Sequence, residues 1–175
     1  MDVKYNRKKL FIAILIIFGT VALLNTRPEP MFFYNRSASI PLGVYYKIEY
    51  DGKLQTGDIV VFTPPEKAKK IAYERGYISE GTPMMKYVVA VEGDEFLIDG
   101  SDFFAAEKYY GHVAAEDSAG RELYPYSNHM FTVNKGEFIA AGTHPRSFDS
   151  RYWGPVSENN ILAKAVPIFT YESEE

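Results

Sequence analysis

Beyond Met31 the chain is a succession of short aromatic and β-branched runs cut by turn dipeptides, and this rhythm restricts the fold more than any other feature. Val44–Tyr50 ends at Asp51-Gly52, a turn signal. Lys86–Val91 and Glu95–Ile98 flank Gly93-Asp94, and Asp99-Gly100 marks the next turn. Asp58–Thr63 (DIVVFT) is a continuous apolar run, the mark of a strand buried on both faces. Met130–Val133, Glu137–Ala141 and Ile161–Tyr171 complete the set. With 14 Tyr and 12 Phe the side chains suit pleated surfaces. One helix is expected, over Glu66–Arg75: Pro65 suits its first turn, Glu66 the positive end of its dipole and Gly76 its C-terminal cap. Its apolar Ile71 and Tyr73 would pack on the sheet. Ser101–Ser127 reads as a polar, irregular insertion. The expected fold is mainly β with one short helix.

The N-terminus follows a different rule. Leu10–Leu24 (LFIAILIIFGTVALL) carries no charge and follows Lys4, Arg7, Lys8 and Lys9. Fifteen helical residues span only about 22 Å of a ~30 Å hydrocarbon core, so snorkelling lysines or local thinning must cover the gap. The basic cluster predicts an inside N-terminus and an exported remainder. A cleavable signal would need small residues before its cut, and Thr20-Val21-Ala22 is the one candidate. An uncleaved single-pass transmembrane helix is the expectation. It gives a cytoplasmic basic segment (1–9), an anchor in the lipid bilayer (10–26), a stiff Arg27-Pro28-Glu29-Pro30 linker and an exported domain over 27–175, with 101–127 as its insertion.

The exported part, about 140 residues, suffices for one core. A net charge of −4 without a basic stripe argues against nucleic acid as a partner. The absence of Cys removes disulfides and thiolate metal sites, and no pair of the 3 His has metal-ligand spacing. No metal or other cofactor is expected.

Scarce histidine and absent cysteine leave serine and lysine as the residues for nucleophilic chemistry. A serine hydroxyl needs a base, and lysine can serve only when neutral. Burial lowers a lysine pKa by up to about 3–5 units. Lys86 lies between Met84-Met85 and Tyr87-Val88-Val89, where such burial is expected, and on a strand it shares a face with Met84 and Val88. Alone, a strand lysine reads as a solvated charge and a serine near Gly and Pro as a turn residue.

The order of four segments changes that reading. NRSASIPLGVY at Asn35–Tyr45, TGDIVVF at Thr56–Phe62, MKYVVAVEGD at Met85–Asp94 and SFDSRYWGPV at Ser147–Val156 resemble the ordered boxes of the type I signal peptidases (family S26). They are most similar to the conjugative-transfer, TraF-type branch. The last box is highly specific and the lysine box moderately so. Three departures from housekeeping signal peptidases favour that branch: Ser39-Ile40-Pro41 in the nucleophile box, GTHPR before Ser147 in place of an acidic run, and a short insertion.

The resemblance implies a signal-peptidase-like antiparallel β-sheet or barrel domain in which Ser39 is the acylating nucleophile and Lys86 its general base. Ser37, on the same face as Ser39 if the segment is extended, would complete an oxyanion hole with the Ser39 amide. Ser147 would orient the Lys86 amine, and Asp149 and Arg151 would form an ion pair beneath the dyad. A turn held by a surface salt bridge is the alternative for that pair. Met84, Met85 and Tyr34 would shape shallow substrate pockets for small side chains such as Ala. His112, His129 and His144 are expected to be structural or exposed.

The function expected is a serine endopeptidase at the outer, periplasmic face of the bacterial cytoplasmic membrane. It would cleave membrane-inserted preproteins or pilin precursors in conjugative transfer, with peptide cyclisation as a further outcome. Two other readings compete. A non-enzymatic anchored β-domain of a pilus or secretion channel explains the sheet but makes the four boxes accidental. A self-cleaving cytosolic repressor shares Ser/Lys chemistry, but the anchor stands where its DNA-binding domain belongs.

Overall fold

The computed structural model describes residue 9 and residues 11–20 and 30–172. Residues 11–20 form a helix, α1, whose large apolar side chains are exposed. Among the described residues no helix is long and apolar enough to cross a membrane. The expected anchor includes residues 10 and 21–26, which lie outside the described residues, as do most of the basic segment and part of the candidate cleavage site.

The β unit begins at Phe32. Its strands are β1 (Phe32–Asn35), β2 (Leu42–Ile48), β3 (Ile59–Phe62), β4 (Met84–Ala90), β5 (Glu95–Asp99), β6 (Asp102–Ala105), β7 (Lys108–His112), β8 (Phe131–Thr132), β9 (Glu137–Ala141), β10 (Val156–Ser157) and β11 (Ile161–Tyr171). Helix α2 (Glu66–Glu74) follows β3, and a single turn, α3 (Ser150–Trp153), follows β9. Seven strands form one sheet in the order β1-β2-β11-β3-β4-β9-β10, and four form another, β7-β6-β5-β8. Every paired neighbour is antiparallel. Among the described residues neither sheet closes on itself, so the architecture is open sheets rather than a barrel.

β3 shows why a continuous apolar run was needed. Val60 and Phe62 face one core with Met84, Val88, Phe138 and Trp153, while Ile59 and Val61 face another with Ile40, Tyr45 and Ala165. A third core, around Phe96, Phe103 and Ile139, fills the interface of the two sheets.

Two expectations change. Helix α2 buries Ala68 and Ala72, one turn apart, instead of Ile71 and Tyr73, which are half-buried. Small residues let the helix lie close to the first core. The insertion is also not irregular throughout, because its first part is the β6–β7 hairpin. The two-residue turn, Ala106-Glu107, has both φ angles positive, at 47° and 61°. That conformation usually takes Asn-Gly, so the sequence carries no signal for it. Residues 113–127 do run outside the sheets, apart from an isolated bridge between Glu116 and Glu122.

The β1-β2-β11 lobe has one face in the core and one outside. Phe33, Tyr45 and Ala165 point inward. Registered rows of Phe32, Tyr46 and Val166, and of Tyr34, Val44 and Phe169, lie on the other face. Phe32, Tyr34 and Phe169 are more than half exposed.

Candidate active site

The segment carrying Ser39 leaves the edge strand β1 and turns back into β2. Asn35 holds that reversal: its side-chain amide donates to the carbonyls of Ser37, Ile40 and Pro41 at 2.9–3.0 Å, and its Oδ1 accepts from the Ser37 amide at 3.1 Å. The Tyr45 hydroxyl donates to the Pro41 carbonyl at 2.6 Å. Ser39 therefore lies on a turn, so the condition that would have put Ser37 and Ser39 on one face, an extended segment, is not met. The turn still joins the two hydroxyls. Ser37 Oγ donates to Ser39 Oγ at 3.1 Å and accepts from the Ser39 amide at 3.4 Å. Ser37 is exposed and Ser39 is buried.

Lys86 lies in β4, opposite Val60 of β3. Its face is that of Met84 and Val88, which belong to the first core, and the lysine itself is only 5% exposed. Burial lowers its pKa to about 8 from 10.5; the Arg151 charge adds to the fall and the Asp149 carboxylate opposes it. The amine Nζ donates to Ser147 Oγ at 3.0 Å.

Ser147 stands in the turn between β9 and α3, and a buried charge pair ties that turn down. Arg151 grips Asp149 with two donors, Nε to Oδ1 at 2.8 Å and Nη2 to Oδ2 at 2.7 Å. The two side chains are 1% and 0% exposed, so the pair is a core element and not a surface salt bridge. Asp149 also accepts from the Gly142 amide at 2.9 Å and caps α3 through the Arg151 amide. Burial would raise the Asp149 carboxyl, but Arg151, Lys86 and the amide donors outweigh it, and its pKa falls. Arg151 further reaches the His112 carbonyl at 3.0 Å, linking the site to the β6–β7 hairpin.

These parts meet at Gly142. The ladder pairs Tyr87 with Ala141, which places Lys86 beside Gly142 just beyond the strand. The Ser39 carbonyl accepts from the Thr143 amide at 2.7 Å. A Cβ on Gly142 would lie 2.3 Å from the Ser39 carbonyl oxygen and 2.4 Å from Ser147 Oγ. Only a residue without a side chain permits that convergence. Gly142, Asn35 and Tyr45 were not legible as site residues, because each acts on the backbone of a partner distant in sequence or hidden in a turn.

A cavity of about 910 Å³ opens on this cluster, and Ser37, Ser39, Lys86 and Ser147 line it together. So do Met84, Met85 and Tyr34. Met84 is almost wholly buried, Met85 half-buried and Tyr34 63% exposed at the rim. Asp149 and Arg151 lie beneath and do not line it. In this arrangement the Ser39 hydroxyl is bonded to Ser37 and the lysine amine to Ser147, and all four side chains line the cavity.

Of the histidines, His144 lines the cavity, and its Nδ1 accepts from the Arg146 amide at 3.0 Å. His112 stands beside Asp102 at 2.7 Å on the smaller sheet, and the His129 amide donates to Ser127 Oγ. Among the described residues no group of three His, Asp or Glu side chains could hold a metal ion.

The family model for the signal peptidases, peptidase S26, matches residues 5–170. The chain is 32% identical over 151 residues to the conjugal transfer protein TraF of Agrobacterium fabrum, covering 79% of this chain and 82% of that protein. It is 33% identical over 147 residues to a plasmid transfer protein TraF of Escherichia coli, covering 78% and 82%. A more distant relative is the probable thylakoidal processing peptidase 2 of Arabidopsis thaliana, 31% identical over 114 residues, covering 65% of this chain and 29% of that one.

Proposed function

The chain belongs to the signal peptidase family, peptidase S26, and on that premise we propose that it is a membrane-anchored endopeptidase with a Ser39/Lys86 dyad. One observation carries the reading: a buried lysine amine, softened to a pKa of about 8, is hydrogen-bonded to Ser147 on the wall of the cavity that Ser39 also lines. At pH 7 such an amine is neutral in about a tenth of molecules, against roughly one in two thousand for an exposed lysine.

In the proposed reaction a rotation of the Ser39 side chain takes its hydroxyl from Ser37 towards Lys86. The amine accepts the hydroxyl proton as Oγ attacks the scissile carbonyl, and gives it to the leaving amine. The Ser37 hydroxyl and the Ser39 amide are then both free to donate to the oxyanion, where one donor is worth about 10²–10³ in rate. Water releases the acyl group. An amine from the same substrate chain in place of water would give a cyclic product.

Two open strand edges support an extended substrate. Among the described residues, pairing of β4 with β9 starts at Tyr87, so Met84–Lys86 have no strand partner on that side, and β1 pairs with β2 alone. A peptide adding as a strand would run between them. The TraF relatives motivate assigning the substrate to conjugative transfer, as a preprotein or pilin precursor. The bare aromatic face of β1-β2-β11 suits a lipid surface, where amphipathic Tyr rings sit at the headgroup level and Phe rings gain from apolar burial. With the basic cluster ahead of residues 10–26, this gives a single-pass protein of the cytoplasmic membrane whose catalytic domain lies outside.

Mass spectrometry of membrane and pilin fractions from cells with intact Ser39 or Ser39→Ala tests the reading. It identifies the substrate, the cut site and any loss of water on ring closure. Cleavage that continues unchanged in Ser39→Ala and Lys86→Ala cells refutes the dyad.

A further inference from the structure

The cavity is larger than the proposed cleavage chemistry requires. A small side chain beside Ser39 fills only a fraction of about 910 Å³, a volume near the upper end for sites that enclose a drug-sized ligand. One part of the lining, the far part, comes from segments that carry none of Ser39, Lys86 and Ser147: Tyr77 and Ile78 follow α2 and Leu123 belongs to residues 113–127, while Phe148 adjoins Ser147 in the chain. Tyr77 and Phe148 pack edge to face with centroids 5.0 Å apart.

The far wall is a loop that should not hold its own shape. Residues 113–127 lie outside the sheets, and their longest-range ties are to other elements. The Ala114 amide donates to the Tyr152 hydroxyl at 3.0 Å. Backbone bonds hold its two ends, from the Val113 amide to the Ser101 carbonyl at 2.7 Å and from the Tyr126 amide to the Arg151 carbonyl at 2.8 Å, and the side-chain fastening between them centres on Asp117. Its carboxylate accepts from the Tyr77 hydroxyl, from Arg75 Nη1 at 3.3 Å, from Arg121 Nε at 2.8 Å and from the Ala119 and Arg121 amides at 2.9 and 3.0 Å. Arg75 Nη2 also donates to the Glu122 carbonyl at 2.9 Å, tying the end of α2 to the loop. One carboxylate thus joins the loop, the helix end and the ring that floors the far cavity. So many charge-assisted donors around one acceptor give a fixed wall rather than a pliable one.

We propose that the far end of the groove is a distal subsite for a long apolar substrate side chain, several residues from the bond cut, and that Asp117 is its positioning residue. The subsite rests on the peptidase reading for its ligand, an extended peptide. Its apolar character comes from Ile78, Leu123 and the faces of Tyr77 and Phe148. Selection there is by binding, so it acts on KM and leaves kcat for a short substrate untouched.

Binding of fluorescent peptides to the full-length Ser39→Ala chain in detergent tests this without needing turnover. Two series are used: short peptides reaching only the catalytic end, and longer ones with Leu or Ala scanned through the added positions. At one position Leu should bind about tenfold or more tighter than Ala, the effect of burying one such side chain. Leu123→Arg, which blocks the far end and leaves the Asp117 clasp in place, should abolish that advantage. Asp117→Ala should reduce it, while short-peptide affinity holds in both variants. Leu and Ala binding alike at every position overturns the proposal. An advantage that survives Leu123→Arg does so too, as does equal weakening of short and long peptides by Asp117→Ala. Failure of the peptidase reading shows separately, as uncut peptides with the chain that retains Ser39.

Discussion

Asp149 and Asp117 do the same chemistry in two places: each carboxylate gathers arginine and backbone donors to fix a turn beside the groove. They differ in surroundings. Asp149 lies wholly buried under Lys86, and its charge, with that of Arg151, is felt by the lysine amine. Asp117 is at the far wall: its own side chain is 6% exposed, but the arginines that hold it are 25% and 42% exposed, so solvent screens the cluster from one side. Burial turns a fastening into an electrostatic control. At the rim the same fastening only sets shape.

The largest expected effect breaks the buried member. Asp149→Ala leaves the Arg151 guanidinium in the core without its counter-charge, and such changes destabilise a fold by about 3–5 kcal/mol. Denaturant unfolding of this variant checks it. A loss no greater than that of Asp117→Ala would end the distinction between the two clusters.

Gly142 tests whether the buried cluster needs its tight geometry. A methyl in Gly142→Ala would press within 2.4 Å of both the Ser39 carbonyl and Ser147 Oγ. A displacement of about 1 Å at a reacting group costs on the order of 10² in rate, so kcat/KM should fall by about that factor. An unaltered rate would mean that the turn gives way freely.

How much of this was legible follows the same division. β9 and β11 were read with the bounds they have, since apolar alternation and flanking turns fix a strand locally. Ser39, Lys86 and Ser147 could be singled out because they lie inside ordered boxes, and the fold brings the three to one cavity. The state of Asp149 and Arg151 was not, since a salt bridge two residues apart looks alike in sequence whether on the surface or at 0–1% exposure. The Asp117 clasp was invisible: its partners Arg75 and Tyr77 come from another element, and the loop has no periodicity. The β6–β7 turn went unread because Ala-Glu adopts a conformation that glycine and asparagine normally announce.

Lys86 links electrostatics to stability. Its folded pKa of about 8 lies below its ordinary 10.5, so the unfolded chain binds more protons between those values. Stability tied to this group therefore rises as pH climbs from about 8 to 10.5, and below 8 the full penalty of about 3 kcal/mol is present. Lys86→Met removes that penalty and the bond to Ser147, worth about 1 kcal/mol, for a net gain of about 2 kcal/mol at pH 7. The gain should vanish above about pH 10.5. Unfolding curves at pH 7 and 10.5 check both, and a variant less stable than the parent at pH 7 would deny that the amine is held against its preference.

The smallest effect separates the two carboxylates most sharply. The rate limb set by Lys86 should rise with a midpoint of about 8. In Asp149→Asn the carboxylate that favours the lysine cation is gone while Arg151 still repels it, so the limb moves to lower pH in whatever fraction folds. Asp117→Asn should leave the midpoint where it was, because Asp117 is not among the charges acting on Lys86. Nor does the rim cluster add acid sensitivity near neutrality. Burial would raise the Asp117 carboxyl, but Tyr77 and the Arg121 and Ala119 donors outweigh it and hold its pKa well below the usual carboxylate range. Its contribution is thus complete above the ordinary aspartate pKa of about 3.9 and is lost only in strong acid. pH–rate profiles of the two asparagine variants on one short peptide decide the matter: equal displacement of both limbs would show that the groove behaves as one electrostatic unit and that burial does not divide it.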